Sequence, residues 1–374
     1  MRIVLDATAL LGARTGIGRY VHHLVAELPA ALDRRGLAAQ VAVTTWTARG
    51  GRLTDLPAGV RQTGPRVPAR ALRSAWCRAD LPPVELLVGR CDVVHGTNFV
   101  SPPSRQAREV VTVHDLTYET HRETVSADSL AYRTLVPRAL ARGAHVVTPS
   151  HAVAAEVAAF YGLDPARVTA TPLGVDPQWA LAGAPDAGWL DARGLPHEYL
   201  VFVGSLDPRK NLPRLLAAHL AARAADPALP PLVLAGPAGR EQHLRPQPGV
   251  HRTGWLSDED LRTLVAGSAG LLLPSLDEGF GLPALEALAC GRPVLAADVP
   301  ALREVTGAES VLVDPLQVDA IAAGLAALAD RPDATADRER RRDHARRWTW
   351  AACADRTIDA YLARPPGPEE TAPR

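Results

Sequence analysis

Along the chain, short apolar runs recur, separated by stretches rich in Ala, Leu and Arg. The first half holds RIVLDA, QVAVTT, DVVHGT, EVVTVHD and HVVTPS; the second holds YLVFVGS, PLVLAG, VHRTGW, GLLLPS and PVLAAD. Near-continuous apolar runs are what strands covered on both faces need, and the intervening segments, such as GRYVHHLVAELPAAL, have helical residue preferences. Strand and helix in alternation predict βαβ units and parallel sheets. The alternation breaks across 172–197, a Pro- and Gly-rich stretch that reads as a linker, and then starts again. The expected fold is therefore α/β: two Rossmann-like domains, 1–175 and 176–350, facing one another with a ligand in the cleft at the carboxyl ends of the strands. A charge-dense helix (ADRERRRDHARRW) closes the second domain. A further helix, 351–364, is expected to return towards the first, and the tail 365–374 is expected to be disordered.

Composition narrows the picture. No run of about eighteen apolar residues is present, so no membrane span is expected. The start, MRIVLDATALLG, is interrupted by Asp6 and reads as a first strand, not a signal peptide. Cys77, Cys91, Cys290 and Cys353 are scattered without a C-x-x-C, which disfavours a disulfide framework or zinc site and suits a reducing cytoplasm. The net charge of zero conceals an asymmetry. Residues 1–175 carry 20 Arg against 14 Asp and Glu, and the remainder reverses the surplus. One half is basic and one acidic, as if they meet different ligands. Of 41 basic residues, Lys210 is the one lysine. A chain that writes arginine nearly everywhere and keeps one lysine has a site that needs an ammonium.

Three strand-to-helix junctions carry candidate chemistry. The first, TGIGRY, puts Gly16 and Gly18 where backbone N–H groups and the helix dipole can meet a phosphate, although a plain turn is equally consistent with it. QVAVTTW ends without an acidic residue, which argues against a dinucleotide cofactor. The second, VFVGSLDPRKNL, places Gly204 and then Arg209 and Lys210 beyond a strand; a fork-shaped guanidinium and a mobile ammonium suit a diphosphate. The third is PSLDEGFGLPALEALACGRPVLAAD. Glu278 precedes a helix and Glu286 lies within it, with Gly279, Phe280, Gly281 and Leu282 between them. Pro283 suits the first helical turn. Two carboxylates flanking a bare helix N-terminus match the layout of a nucleotide sugar: ribose, diphosphate, hexose.

That third motif, E-G-F-G-L-P-x-L-E-A-x-A-C-G-R-P-V, closely resembles the signature of the retaining glycosyltransferases of family 4, or group 1, which have the GT-B fold of two facing Rossmann-like domains. The resemblance extends over nearly the whole chain, through D-A-T-A-L-L-G-A-R-T-G-I-G-R-Y, V-G-S-L-D-P-R-K-N-L and D-V-P-A-L-R-E-V-T-G-A-E-S-V-L-V-D-P. It is most similar to polysaccharide mannosyltransferases that use GDP-mannose. It implies a retaining transfer of a hexose to an acceptor hydroxyl, with no cofactor beyond the donor substrate. It places Glu278 near the donor sugar, Glu286 on the ribose, Arg209 and Lys210 on the diphosphate, Gly16 near the donor phosphates and His114 near the transferred sugar. Where many members have an arginine after the strand glycine, this chain has Ser205. Neutralisation of the phosphates then leans on Arg209 and Lys210. The partners implied are a nucleotide-sugar donor and a glycan or lipid-linked acceptor, not nucleic acid. An epimerase or phosphorylase on the same fold, and a nucleotide-sugar-binding protein without turnover, remain open at this level.

Other residues are weighed on their own. His114 and Asp115 end an apolar strand, where a general acid–base or a ligand for a substrate hydroxyl would sit. His95, in VVHGTN, is similar but weaker. Asp258-Glu259-Asp260 resembles a metal-binding D-x-D, but Ser257 before it reads as an N-cap with acidic residues in the first turn, so no metal is expected. Leu256, in GWLSDEDL, is expected beside the nucleotide base, chiefly through its backbone. RVPARALRSAWCR spaces Leu72 and Trp76 at i, i+4 among arginines. It suits an ordinary helix with one buried face, or a surface touching anionic lipid at the inner face of a membrane.

Overall fold

The computed structural model describes residues 1–12, 15–48, 52–240, 247–329 and 333–363. The expectation for the tail 365–374 lies outside them. The chain divides into two compact units. One is Met1–Gly174 together with the segment from Trp350, and the other is Val175–Thr349.

In the first unit, strands β1 (Arg2–Asp6), β2 (Gln40–Thr44), β3 (Arg61–Thr63), β4 (Val93–Gly96), β5 (Arg108–Thr112), β6 (His145–Thr148) and β7 (Val168–Ala170) form one parallel sheet. Its order is β3-β2-β1-β4-β5-β6-β7. In the second, β8 (Leu200–Val203), β9 (Leu232–Ala235), β10 (Val250–Gly254), β11 (Gly270–Leu273), β12 (Val294–Ala297) and β13 (Ser310–Val313) form a parallel sheet of order β10-β9-β8-β11-β12-β13. Each is a doubly wound sheet whose chain direction of travel reverses once. The central strands are buried except at the first residues of β1, β2 and β5, as their apolar runs predict. The three strands that the pattern does not announce, β3, β7 and β13, are all sheet edges. An edge strand is paired on one side and partly wet, so RQT and VTA need no apolar run.

Core packing explains two further features. The stretch read as a linker is built into the second unit: Trp179 and Leu190 are buried, and Cys290 Sγ donates to the Trp179 carbonyl at 3.2 Å. Its Pro and Gly content shapes tight turns, and its large apolar side chains hold it down. The last helix, Trp350–Leu362, packs on the first-unit helix Gly16–Arg34. There Trp350 stacks on His23 (4.5 Å, 9°) and Arg34 pairs with Asp355 at 3.1 Å. No helix among the described residues is long and apolar enough to cross a membrane. All four cysteines are free.

Candidate functional site

In the second unit, the loops that follow β8 and β11 meet. After β8, the chain makes a single 3₁₀ turn, Pro208–Lys210, with proline at its start, and leaves it through Asn211 in the left-handed region (φ 59°). Asparagine is among the few non-glycine residues that tolerate that conformation. Its side chain is buried and fully used: Nδ2 donates to the carbonyls of Pro274 (3.0 Å) and Pro315 (2.6 Å), and Oδ1 accepts from Arg214 at 2.9 Å. Asn211 thus ties the loop after β8 to those after β11 and β13. Sequence reasoning did not single it out. The signal available was an Asn followed by Leu-Pro at a helix start.

After β11, Gly281 caps the helix Leu282–Ala289 at φ 94°. A Cβ there would lie 2.3 Å from Leu302 Cδ2, so both the backbone and the packing require glycine. Phe280 and Leu282 are buried, Phe280 edge-on to Trp348 at 5.5 Å. Their side chains are anchors, which leaves the backbone of this turn as the chemical surface.

The two loops bring together Arg209, Lys210 and Glu278. Lys210 Nζ donates to Glu278 Oε1 at 2.6 Å, and Arg209 Nη1 donates to Oε2 at 3.0 Å and to the Asp277 carbonyl at 2.5 Å. Ser275, fully buried and not foreseen, donates to Oε1 at 2.7 Å. Burial alone would raise the Glu278 pKa. The Lys210 and Arg209 charges outweigh it and hold the carboxyl at about 2. Glu278 is therefore ionised and fixes the direction of both cations. The cluster of two cations and one carboxylate keeps a surplus positive charge at the start of a helix whose dipole has the same sign. Gly204 lies close by: a Cβ on it would come 3.5 Å from Lys210 Cε. Ser205 donates its hydroxyl to Asp207, not to the cation cluster. Glu286 is buried one turn into the Leu282–Ala289 helix, where its charge, after burial, helps push the Cys290 thiol up to about 12. Leu256 follows β10, half-buried beside the exposed Trp255. Ser257 accepts from the Asp260 amide at 3.0 Å as an N-cap, and Asp260 also pairs with Arg193 at 3.1 Å. The acidic triplet there serves the helix and a neighbouring arginine.

In the first unit, Gly16 opens the helix Gly16–Arg34, where an added Cβ would meet nothing within 4 Å among the described residues, and Gly18 is buried within it. His114 is buried beyond β5, edge-on to Tyr20 (5.3 Å) and Phe99 (5.4 Å). Burial lowers its pKa. Its Nε2 lies 2.9 Å from the Thr97 carbonyl, which can only accept, so the proton is on Nε2 and Nδ1 is the acceptor nitrogen. Asp115 accepts from the Thr117 amide at 3.1 Å. His95 is structural: it sits between Tyr361 (2.8 Å) and Thr112 (2.7 Å), and burial lowers its pKa to about 3. Leu72 and Trp76 point into the first unit's core, so the apolar side of the helix Ala69–Arg78 is already covered.

Both halves of the chain match known families. Residues 14–179 match the family model described as Glycosyltransferase Family 4, and residues 197–331 the model described as Glycosyl transferases group 1. The chain is 31% identical over 284 residues to O-antigen chain mannosyltransferase B of Escherichia coli, covering 72% of this chain and 74% of that protein. It is 32% identical over 232 residues to the MMP alpha-(1->4)-mannosyltransferase of Mycolicibacterium hassiacum, covering 58% of this chain and about half, 53%, of that protein. Sucrose-phosphate synthase from Thermosynechococcus elongatus superposes with a TM-score of 0.73 at 21% identity, over 96% of this chain and 98% of that one. That likeness is one of fold, the GT-B fold of two Rossmann-like domains.

Proposed function

Because the chain belongs to the group 1, or family 4, glycosyltransferases, we propose that it transfers mannose from GDP-mannose to an acceptor hydroxyl with retention of configuration. The observation that carries this reading is the Arg209–Lys210–Glu278 cluster beside the N-terminus of the Leu282–Ala289 helix. Breaking the sugar–phosphate bond leaves negative charge on the departing diphosphate. A preorganised surplus of positive charge lowers the barrier most where that charge grows. Arg209 and Lys210 supply it, and Glu278 holds them in place and lies close enough to the diphosphate to meet the donor sugar. The backbone N–H groups at 280–282, with Gly279 and Gly281 keeping the approach open, add donors at the helix start. Glu286 accepts from ribose hydroxyls, and Leu256 lies against the base. In the first unit, the exposed turn at Gly16 is the phosphate contact, with Gly18 buried in the helix behind it, while neutral His114, with Nδ1 as acceptor, and Asp115 hold hydroxyls of the transferred sugar. No step needs a cofactor. The basic surplus of residues 1–175 supports an acceptor on an anionic carrier, such as a lipid diphosphate at the inner face of a membrane.

The test is direct. The protein is incubated with GDP-mannose, GDP-glucose, UDP-glucose and UDP-N-acetylglucosamine, each with manno-oligosaccharide or lipid-linked acceptors. Nucleoside diphosphate release is measured, and the product's anomeric configuration is read by NMR. Turnover of GDP-mannose to an α-linked product is expected. Preference for a UDP sugar overturns the donor assignment, and a β-linked product overturns retention.

A further inference from the structure

Where β4 ends, the chain runs Gly-Thr-Asn-Phe-Val, and Phe99 there has φ 58°. A bulky residue in the left-handed region is an outlier. The hydrogen bonds say what holds it. The Val100 amide donates to the Asn98 carbonyl at 2.8 Å, closing a three-residue turn with Phe99 at its centre. A γ-turn with positive φ at the central residue is the rare, strained form. The chain folds back so tightly that a Cβ on Gly96 would lie 1.9 Å from the Val100 carbonyl oxygen.

The turn is stapled to both neighbours of β4, in the order β1-β4-β5. On one side, Thr97 donates its hydroxyl to the carbonyl of Asp6, the last residue of β1, at 2.5 Å. On the other, the Phe99 amide donates to the carbonyl of Thr112, the last residue of β5, at 2.9 Å. Aromatic packing adds to the hold: Phe99 stacks on Tyr132 (4.6 Å, 18°) and meets Tyr118 edge-on at 5.4 Å. Strained backbone persists where the surroundings impose it, and it concentrates at functional sites.

What this strain fixes is the direction of one carbonyl. The Thr97 carbonyl accepts from His114 Nε2 at 2.9 Å, and the imidazole is edge-on to Phe99 and to Tyr20, whose hydroxyl lies 3.0 Å from Thr112 Oγ1. A neutral imidazole carries its proton on either nitrogen, and the partner at one nitrogen decides the use of the other. With Nε2 committed to Thr97, Nδ1 accepts. Were the carbonyl free to turn away, the proton would distribute over both nitrogens, and the Nδ1–H form could no longer accept from a sugar hydroxyl.

We propose that Thr97 is a positioning residue: the strained turn at Phe99 aims its carbonyl so that His114 is held in the Nε2–H tautomer, with Nδ1 ready for a hydroxyl of the transferred sugar. The proposal rests on the reading of His114 given above and adds the device that sets its proton.

The experiment labels the histidines of the full chain with ¹⁵N and reads the His114 tautomer by long-range ¹H–¹⁵N NMR without ligand, the signal being assigned with His114→Phe. The Nε2–H form alone is expected in wild type. Thr97→Val keeps the shape of the side chain and removes its hydroxyl. It should mix the tautomers and lower kcat/KM for GDP-mannose about tenfold, the scale of one hydrogen bond, while GDP, which lacks the sugar, binds as before. Thr97→Ser restores the hydroxyl and should restore both readings. Phe99→Gly relaxes the backbone and removes the ring, so it should mix the tautomers as well, and it decides the matter if Thr97→Val does not fold. Mixed tautomers in wild type, or the Nε2–H form alone in the variants, overturns the clamp. Mixed tautomers with wild-type kcat/KM overturns its use in the reaction. The tautomer readings need no donor, so they stand even where the donor assignment fails. Wild-type kcat/KM in His114→Phe sinks the reading of His114 itself, whatever the tautomers show.

Discussion

Replacing Glu278 with glutamine should change how stability responds to acid. In the native structure the carboxylate is buried and receives Lys210, Arg209 and Ser275. An ordinary glutamate titrates near 4.5 and this one near 2. That difference corresponds to about 3 kcal/mol of stability at neutral pH. The folded pKa lies below the unfolded one, so the contribution is complete above the unfolded value and is lost as the pH falls towards the folded value. Between pH 7 and pH 3, about 2 kcal/mol of it should disappear. The amide introduced by Glu278→Gln does not titrate, and Arg209 and Lys210 stay charged throughout, so the effect survives as a difference between the two proteins while the other carboxylates cancel. At pH 7 the variant should be less stable by about 3–5 kcal/mol, the cost of leaving buried cations without their anion. The assay is urea denaturation of both proteins at pH 7, 5, 4 and 3. Hydrogen exchange at the amides of Leu200–Val203 and Gly270–Leu273 assigns the transition to the second unit. The gap should narrow steadily below pH 5. If it stays within about 0.5 kcal/mol between pH 7 and pH 3, the carboxyl is not held ionised by those cations and the electrostatic account of the site is wrong.

Three further outcomes follow from the same geometry. Lys210→Arg keeps the charge but moves it by an ångström or more in a space bounded by Gly204 and Glu278; kcat should fall about a hundredfold with little change in KM, and turnover within twofold of wild type would show that an ammonium is not needed. Glu286→Gln should weaken GDP binding by about 1–3 kcal/mol in calorimetry; an unchanged affinity in a folded variant places the ribose elsewhere. Asn211→Ala removes two buried donors and keeps a left-handed backbone, whereas Asn211→Gly relieves the backbone. Both should lower stability by about 1–3 kcal/mol, with Gly better than Ala by about 1 kcal/mol in chemical denaturation; equal stabilities would mean that the conformation carries no strain.

The amino-acid sequence by itself settled what depends on neighbours along the chain. A parallel strand buried on both faces must be apolar throughout, so runs such as LVFV and GLLL mark central strands, although the SVLV of β13 shows that an edge can carry one too. Gly281-Leu282-Pro283 announces a helix start because a left-handed cap and a proline in the first turn are local requirements. Arg209, Lys210, Glu278 and Glu286 stand at strand ends or helix starts that can be read directly. What tertiary structure decided depends on partners distant in sequence. The edge strands β3 (RQT) and β7 (VTA) exist because a neighbouring strand offers hydrogen bonds, not because their residues insist on it. His95 and His114 look alike as strand-end histidines. One is locked between Tyr361 and Thr112, and the other keeps an acceptor nitrogen, because different side chains fold over them. Asn211 acquires its role from carbonyls 63 and 104 residues away, whereas Ser275 meets a carboxylate three residues on, across a turn that the second unit's packing shapes. The turn at Phe99 is held by contacts that reach from Asp6 to Tyr132, and none of those segments fixes its conformation alone. Burial and hydrogen-bond closure are properties of the folded surface, so a local pattern can nominate a side chain, but only the packing around it sets its charge, its partner and its use.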